Sequence, residues 1–248
     1  MRERASGDGD AAMRRPDGGP RAFIDLHCHT SASFDCLSDP SKVVRAAAAR
    51  GLTHIAITDH DTIDGALRAR DAAPDGLTVM VGQEVRTADG DLIAAFLERP
   101  VASGRSAPDT AAAIREQGGL VGIPHPFDRF RGSLLRDARM AALASSVDWV
   151  ETHNARIVGS GNDRAAAFAL EHGLPGVAVS DAHTLLEVGV AYTALDGDPS
   201  TQAGLLAALA SVELIPGRAS YAVRLWTPLA KGIQRARGRG RQRTVVDA

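Results

Sequence analysis

The stretch Phe23-Ile24-Asp25-Leu26-His27-Cys28-His29-Thr30 starts with apolar residues and ends with two histidines. Apolar residues followed by a polar switch are typical of a buried strand that ends at a site. Because side chains repeat every second residue along a strand, His27 and His29 point to one side and Cys28 to the other. Two imidazoles on one side can hold a single metal ion.

The same pattern recurs along the chain, with helical segments such as 109–117 and 162–171 in between. This β/α alternation favours a mostly parallel sheet. Polar groups at the ends of successive parallel strands converge on one mouth only if the sheet curls, so we expect a barrel rather than an open doubly wound sheet. The further apolar runs end at Asp59-His60-Asp61, Glu84, His125, Glu151-Thr152-His153-Asn154 and Asp181-Ala182-His183.

Five motifs in this order resemble the successive metal-binding motifs of the PHP (polymerase and histidinol phosphatase) superfamily, in its small stand-alone metal-dependent phosphoesterase branch. The resemblance covers Phe23 to Thr193. It implies a distorted α/β barrel of about seven β/α units, a (β/α)7 barrel, with the metal site at the C-terminal ends of the strands. The motifs are His27-Cys28-His29, Thr58-Asp59-His60-Asp61, Gly82-Gln83-Glu84, His125-Pro126-Phe127 and Ser180-Asp181-Ala182-His183.

The resemblance also implies a cofactor of two or three divalent ions, Mn, Zn or Fe, and a ligand set for each. The first ion takes His27, His29, Glu84 and Asp181, and Glu84 bridges to a second ion bound by His125 and His153. The third takes Asp35, His60 and His183, where Asp35 is assigned from a branch whose loop reads Ser-Phe-Asp. Catalysis would depend on His60, Asp181 and His183.

Two assignments have open alternatives. Either His153 binds metal, or it lies on the neighbouring face while Asn154 approaches the ion or the phosphate. Arg129, Arg131 and Arg156 follow the motifs, and a guanidinium matches phosphate bidentately, so these arginines are candidate substrate-binding residues. The alternative is that they are solvated loop charges.

The donor set favours hydrolysis of phosphoesters, since clustered divalent ions activate water and stabilise charge on phosphoryl oxygens. We expect a small phosphorylated metabolite, a nucleotide or the end of a short oligonucleotide such as RNA as the substrate. One alternative is a C–N hydrolase of the amidohydrolase type, although neither lysine of the chain, Lys42 nor Lys231, lies on a motif. Another is a non-catalytic binding module stabilised by metal.

Composition agrees with one barrel-sized domain. The chain has 248 residues, is 44% hydrophobic and carries a formal net charge of −2, so it can bury a sizeable core. We expect a disordered tail at 1–20, a barrel domain at 21–226 and a basic, disordered tail at 227–248. No apolar run approaches membrane-spanning length, which predicts a cytoplasmic protein without a membrane partner. The sequence leaves the oligomeric state open.

Overall fold

The computed structural model describes residues 21–128, 141–220, 223 and 226–240, which form one sheet surrounded by helices. The strands are β1 Arg21–Cys28, β2 His54–Ile57, β3 Thr78–Arg86, β4 Asp91–Ala95, β5 Leu120–Ile123, β6 Trp149–Asn154, β7 Gly176–Val179, β8 Tyr192–Asp196 and β9 Glu213–Ile215. The helices are α1 Pro40–Ala49, α2 Asp64–Asp71, α3 Ala107–Arg115, α4 Gly161–Glu171, α5 Gln202–Ala208 and α6 Trp226–Ala236.

The sheet has the order β7-β6-β5-β4-β3-β2-β1-β8-β9 and curls until the chain after β7 meets the end of β1. There the Asp181 N–H donates to the His27 carbonyl and the His29 N–H donates to the Ala182 carbonyl, each at 2.9 Å. The result is the nearly closed α/β barrel that the sequence predicts. Closure brings the first and last predicted metal-binding motifs side by side.

The barrel is not a uniform β/α repeat. Strand β4 runs antiparallel to both β3 and β5, and β8 and β9 extend the sheet beyond β1 in antiparallel pairings. Strand β4 follows β3 through a tight turn in which Thr87 N–H donates to the Gly90 carbonyl at 2.7 Å. A turn this short joins only antiparallel strands. The β1–β2, β2–β3, β5–β6 and β6–β7 pairings are parallel.

Apolar residues from all of the strands β1 to β7 contact one another inside the barrel, where Trp149 is the largest fully buried side chain. Leu205 of α5 packs against the same cluster. A second apolar cluster lies between the strands and α1, α2 and α3, and Cys28 belongs to it. Cys28 therefore faces away from the two neighbouring histidines, as the strand periodicity predicts. Both cysteines are free and buried.

The segment after the barrel differs from the expectation. We predicted a disordered tail at 227–248, whereas Trp226–Ala236 forms the helix α6. Ala230 and Gln234, one turn apart, are buried on one face of α6, and such a face is enough to hold a helix against a domain. Residues 237–240 follow the helix as a turn and an irregular segment. The last part of this prediction, at 241–248, and the predicted tail at 1–20 lie outside the described residues. In the part of the chain that the structure describes, no helix is long and apolar enough to cross a membrane.

Candidate metal centre

Eight predicted ligands converge at the C-terminal mouth of the barrel. They come from the ends of β1, β2, β3, β5 and β7 and from the loop after β1, and apart from the partly exposed His60 they are buried. Imidazoles and carboxylates that are distant in sequence thus share one small volume. The eight are His27, His29, Asp35, His60, Glu84, His125, Asp181 and His183.

The first cluster lies at the junction of β1 and β7. The Nε2 atoms of His27 and His29 are 3.0 Å apart, which confirms that the two rings point to the same side of the strand. Asp181 Oδ1 lies 3.7 Å from His27 Nε2 and 3.6 Å from His29 Nε2. These three residues meet the geometric requirement for holding one ion.

The second cluster surrounds Asp35. Its Oδ2 lies 3.3 Å from His60 Nε2 and 3.4 Å from His183 Nε2. His29 completes the cluster, so this residue is shared with the first one. Ser33 Oγ donates to Asp35 Oδ1 at 2.9 Å, and this bond orients the carboxylate within its loop.

Glu84, at the end of β3, connects the histidines of different strands. Its Oε1 lies 3.0 Å from His125 Nε2. Its Oε2 lies 3.2 Å from His60 Nδ1 and 3.3 Å from both His27 Nε2 and His29 Nε2. A carboxylate that faces donors with both oxygens is the arrangement expected of a bridging ligand.

Two histidines have ring tautomers that suit metal binding. The Nδ1–H of His27 donates to Glu151 Oε1 at 2.6 Å, and the Nδ1–H of His183 donates to the carbonyl oxygen of Asp181 at 2.9 Å. In the neutral form of each ring, the lone pair is then on Nε2, which faces the clusters. Carboxylate and carbonyl partners of this kind orient metal-ligating histidines in proteins generally. The residues therefore fit divalent ions.

The electrostatics agree with this fit. Burial opposes the charged form of His27, yet Glu151, Asp181 and Glu84 hold its pKa well above the ordinary value. His183 is different, because burial and the nearby Arg156 lower its pKa to about 3, which keeps its imidazole neutral. The site thus combines concentrated negative charge with a neutral imidazole, and both favour a divalent cation.

Two of the predicted ligands have strained backbone. His125 has a φ of 28° and Asp181 a φ of 51°, and both values lie in a region that residues other than glycine rarely adopt. Such strain persists only where the surroundings compensate for it, and it concentrates at functional sites. At His125 the compensation includes the backbone N–H, which donates to Glu151 Oε2 at 2.7 Å.

Two predicted site residues, His153 and Asn154, have hydrogen-bond partners within the protein. The ring of His153 donates through Nε2 to the Gly217 carbonyl at 2.8 Å and does not join the clusters. Asn154 is buried, and its Nδ2 donates to Glu151 Oε2 and to Asp181 Oδ2. The second of the two alternatives for this pair thus agrees better with the structure. Arg129 and Arg131 lie outside the described residues.

Arg156 has partners within the protein. Its guanidinium contacts Glu187 Oε1 at 3.4 Å and donates to Thr227 Oγ1 at 2.7 Å, and 9% of the side chain is exposed. We expected this group to bind the phosphate of the substrate. In the structure it connects the chain after β6 to α6.

Sequence reasoning missed Glu151 as a site residue. Its carboxylate contacts His27, His125 and Asn154 and so supports three strand ends at once. The available signal was its position before Thr152-His153-Asn154 near the end of a buried strand. Its partner His27 is 124 positions away, and a pattern read along the chain does not indicate such a pair.

Comparison with known families identifies the class of protein. The model of the PHP domain matches residues 25–141, and the model of the PHP-associated region matches residues 159–213. An uncharacterised protein of Methanocaldococcus jannaschii is 34% identical over 114 residues, which are 42% of this chain and 67% of that protein. The chain belongs to the PHP superfamily.

Two further comparisons bear on the fold and on the chemistry. A 5′-3′ exoribonuclease of Haemophilus influenzae is 44% identical over 64 residues, but these are only 25% of this chain and 23% of the relative. A two-domain protein of Bacteroides vulgatus that contains a predicted PHP-like metal-dependent phosphoesterase superposes with a TM-score of 0.70 at 20% identity. That superposition covers 81% of this chain and 66% of the other, and it confirms the fold.

Proposed function

We propose that this protein is a metal-dependent phosphoesterase that hydrolyses small phosphorylated metabolites, nucleotides or the ends of short oligonucleotides. The observation that carries the proposal is the pair of donor clusters that share His29 and are connected by Glu84. A structural metal site needs four ligands in a closed arrangement, whereas two linked clusters at a barrel mouth are typical of hydrolytic centres.

The chemistry follows from this arrangement. Divalent ions, when bound, lower the pKa of a coordinated water and stabilise the charge on the phosphoryl oxygens. Residues of the chain orient the predicted ligands. Glu151 fixes the ring of His27, and the Asp181 carbonyl fixes the ring of His183. Because these partners are buried, little reorganisation is needed when charge develops on the substrate. No covalent intermediate on a side chain is required.

Two observations bear on the size of the substrate. The formal net charge is −2, whereas binding along a nucleic-acid backbone favours a strongly basic surface. The 5′-3′ exoribonuclease, although it matches only a quarter of this chain, keeps the end of an oligonucleotide among the candidates. We therefore place monoesters and nucleotides first and short RNA ends second.

The test is an assay with Mn²⁺ for release of phosphate or mononucleotides from sugar phosphates, nucleotides, 3′,5′-bisphosphonucleosides and short RNAs. We expect turnover of at least one monoester class, and loss of this turnover on substitution His60→Ala. A matched control is His172→Ala, since His172 follows α4 and lies against Phe168. No release from any member of this panel would contradict the proposal, and hydrolysis of amide substrates in a separate assay would then favour the C–N hydrolase.

A further inference from the structure

Lys231 reaches the metal-binding clusters from the helix that the sequence did not predict. It lies on α6, and its Nζ is 4.0 Å from Asp35 Oδ2. Asp35 is itself in contact with His60 and His183, so the ammonium borders the second cluster. The Lys231 side chain is 45% exposed, whereas that of Asp35 is 5% exposed. The ammonium therefore stands at the boundary between the site and solvent.

The helix is held firmly against the loop that carries Asp35. Gln234, one turn after the lysine position, is buried, and its Nε2 lies within donor distance of three carbonyl oxygens of that loop. The distances are 2.9 Å to Ser31, 3.1 Å to Ser33 and 2.9 Å to Cys36. Phe34 adds a further contact, because its ring centroid lies 5.3 Å from Lys231 Nζ. The lysine is thereby positioned before any ligand arrives.

Arg156, the described arginine that we expected to bind phosphate, does not offer a comparable charge. Its side chain is 9% exposed, and its guanidinium is engaged by Glu187 and Thr227. The side chain of Lys231, in contrast, is open to solvent. Its ammonium is a compact positive charge on a flexible side chain, and ammonium groups commonly bind phosphate in proteins.

We propose that the ammonium of Lys231 binds a non-bridging oxygen of the substrate phosphate at the Asp35 edge of the metal centre. This inference rests on the proposed function and adds to it a substrate-binding residue from α6. A phosphate dianion that approaches the second cluster from solvent meets this positive charge next to Asp35. The competing explanation is that Lys231 only forms an ion pair that holds Asp35 in place.

The two explanations differ in what happens when the charge is removed. If Lys231 binds phosphate, substitution Lys231→Met weakens phosphate binding and leaves the bound metal in place. If it only orients Asp35, the same substitution lowers metal binding by the second cluster. The matched control is Arg235→Met, which removes an exposed positive charge one turn further along α6.

The experiment measures two quantities on the Mn²⁺-loaded proteins: metal content per chain, and binding of inorganic phosphate by titration calorimetry. For Lys231→Met we expect unchanged metal content and phosphate binding about ten- to a hundredfold weaker, the range for losing a charged hydrogen bond. Lys231→Arg should retain most of the affinity, and Arg235→Met should bind phosphate like the parent protein. A melting temperature equal to that of the parent protein shows that each variant is folded.

Several outcomes would overturn the inference: unchanged phosphate affinity in Lys231→Met, a parallel loss of bound metal, or no phosphate binding by the loaded parent protein. Calorimetry needs no turnover, so this test is independent of the assay for the proposed function. If the parent protein binds phosphate through Lys231 but hydrolyses no phosphoester, the proposed activity fails and the binding site stands. Where turnover is found, Lys231→Met should raise KM more than it lowers kcat.

Discussion

At the scale of single residues, Glu151 illustrates how the site depends on groups outside the two donor clusters. Its two oxygens accept from the His27 ring and from the His125 backbone, and a side-chain amide of Asn154 lies 2.9 Å from Oε2. A buried carboxylate with three donors fixes the direction of each. The ring of His27 and the backbone of His125 are thereby held in place, so that each histidine directs a ring nitrogen toward the clusters.

Substitution Glu151→Gln should lower the affinity for Mn²⁺ about 10- to 100-fold, the usual effect of losing the carboxylate behind a metal-ligating histidine. The amide keeps the size of the side chain but offers a weaker acceptor to the His27 ring. Metal titration followed by calorimetry measures the change. Glu116→Gln, an exposed position at the end of α3, is the matched control. Equal affinities in the two variants would show that Glu151 has no influence on the site.

Backbone strain is a second feature at the scale of single residues. His125 and Asp181 both adopt positive φ, and both are predicted ligands. Neither Pro124-His125-Pro126 nor Ser180-Asp181-Ala182 contains a glycine that would indicate such a conformation. The contacts around the site must stabilise it instead.

At the scale of elements, α6 packs against the loop that carries Asp35. The Nε2 of Gln234 lies within donor distance of three carbonyl oxygens, those of Ser31, Ser33 and Cys36. Thr227, in the first turn of the same helix, accepts from Arg156. The helix thus connects the loop after β1 with the loop after β6. These contacts predict that removing the helix lowers activity.

Substitution Gln234→Leu should lower stability by about 1 to 3 kcal/mol, because buried carbonyls lose their donor. For a chain of this size the melting temperature should fall by about 2 to 4 °C for each kcal/mol. Thermal unfolding followed by circular dichroism measures the shift. Gln202→Leu, at the partly exposed start of α5, is the control. A melting temperature equal to that of the parent would mean that α6 does not stabilise the loop.

At the scale of the whole molecule, closure of the barrel brings several buried carboxylates and imidazoles close together. The carboxylates of Glu84, Asp181 and Glu151 are all buried. They surround imidazoles with opposite pKa shifts, since the pKa of His27 is raised and that of His183 is lowered. Buried carboxylates that face one another destabilise a fold unless cations compensate for them. Binding of metal should therefore stabilise the entire domain and not only its loops.

Mn²⁺ at about a hundred times its dissociation constant should add about 2.7 kcal/mol to the stability of the metal-free protein for each site. This gain corresponds to a melting temperature about 5 to 10 °C higher. Scanning fluorimetry of chelator-treated protein, with and without added Mn²⁺, measures it. His60→Ala should reduce the shift by removing a predicted ligand of the second cluster. Identical melting curves with metal and with chelator would argue against metal binding by the folded protein.

Much of this molecule could be predicted from local patterns. Apolar runs that end in histidine or carboxylate indicated the strands β1, β2, β3, β5, β6 and β7, and the period of two along β1 put His27 and His29 on the same side. The helix α1 begins at Pro40 after the cap Asp39 and is followed by Gly51 with a φ of 81°, as its sequence signals indicate. These features depend on residues that are neighbours in the chain.

The sequence by itself thus determined the class of fold and most of the candidate ligands, since backbone geometry and hydrophobic periodicity act over a few residues. Only the tertiary structure decided that β4 runs antiparallel, that Glu151 supports His27, that His153 turns to Gly217 and that α6 brings Lys231 to Asp35. Lys231 and Asp35 are nearly two hundred positions apart. Their proximity results from closing the barrel and docking the last helix, and no local propensity encodes either event.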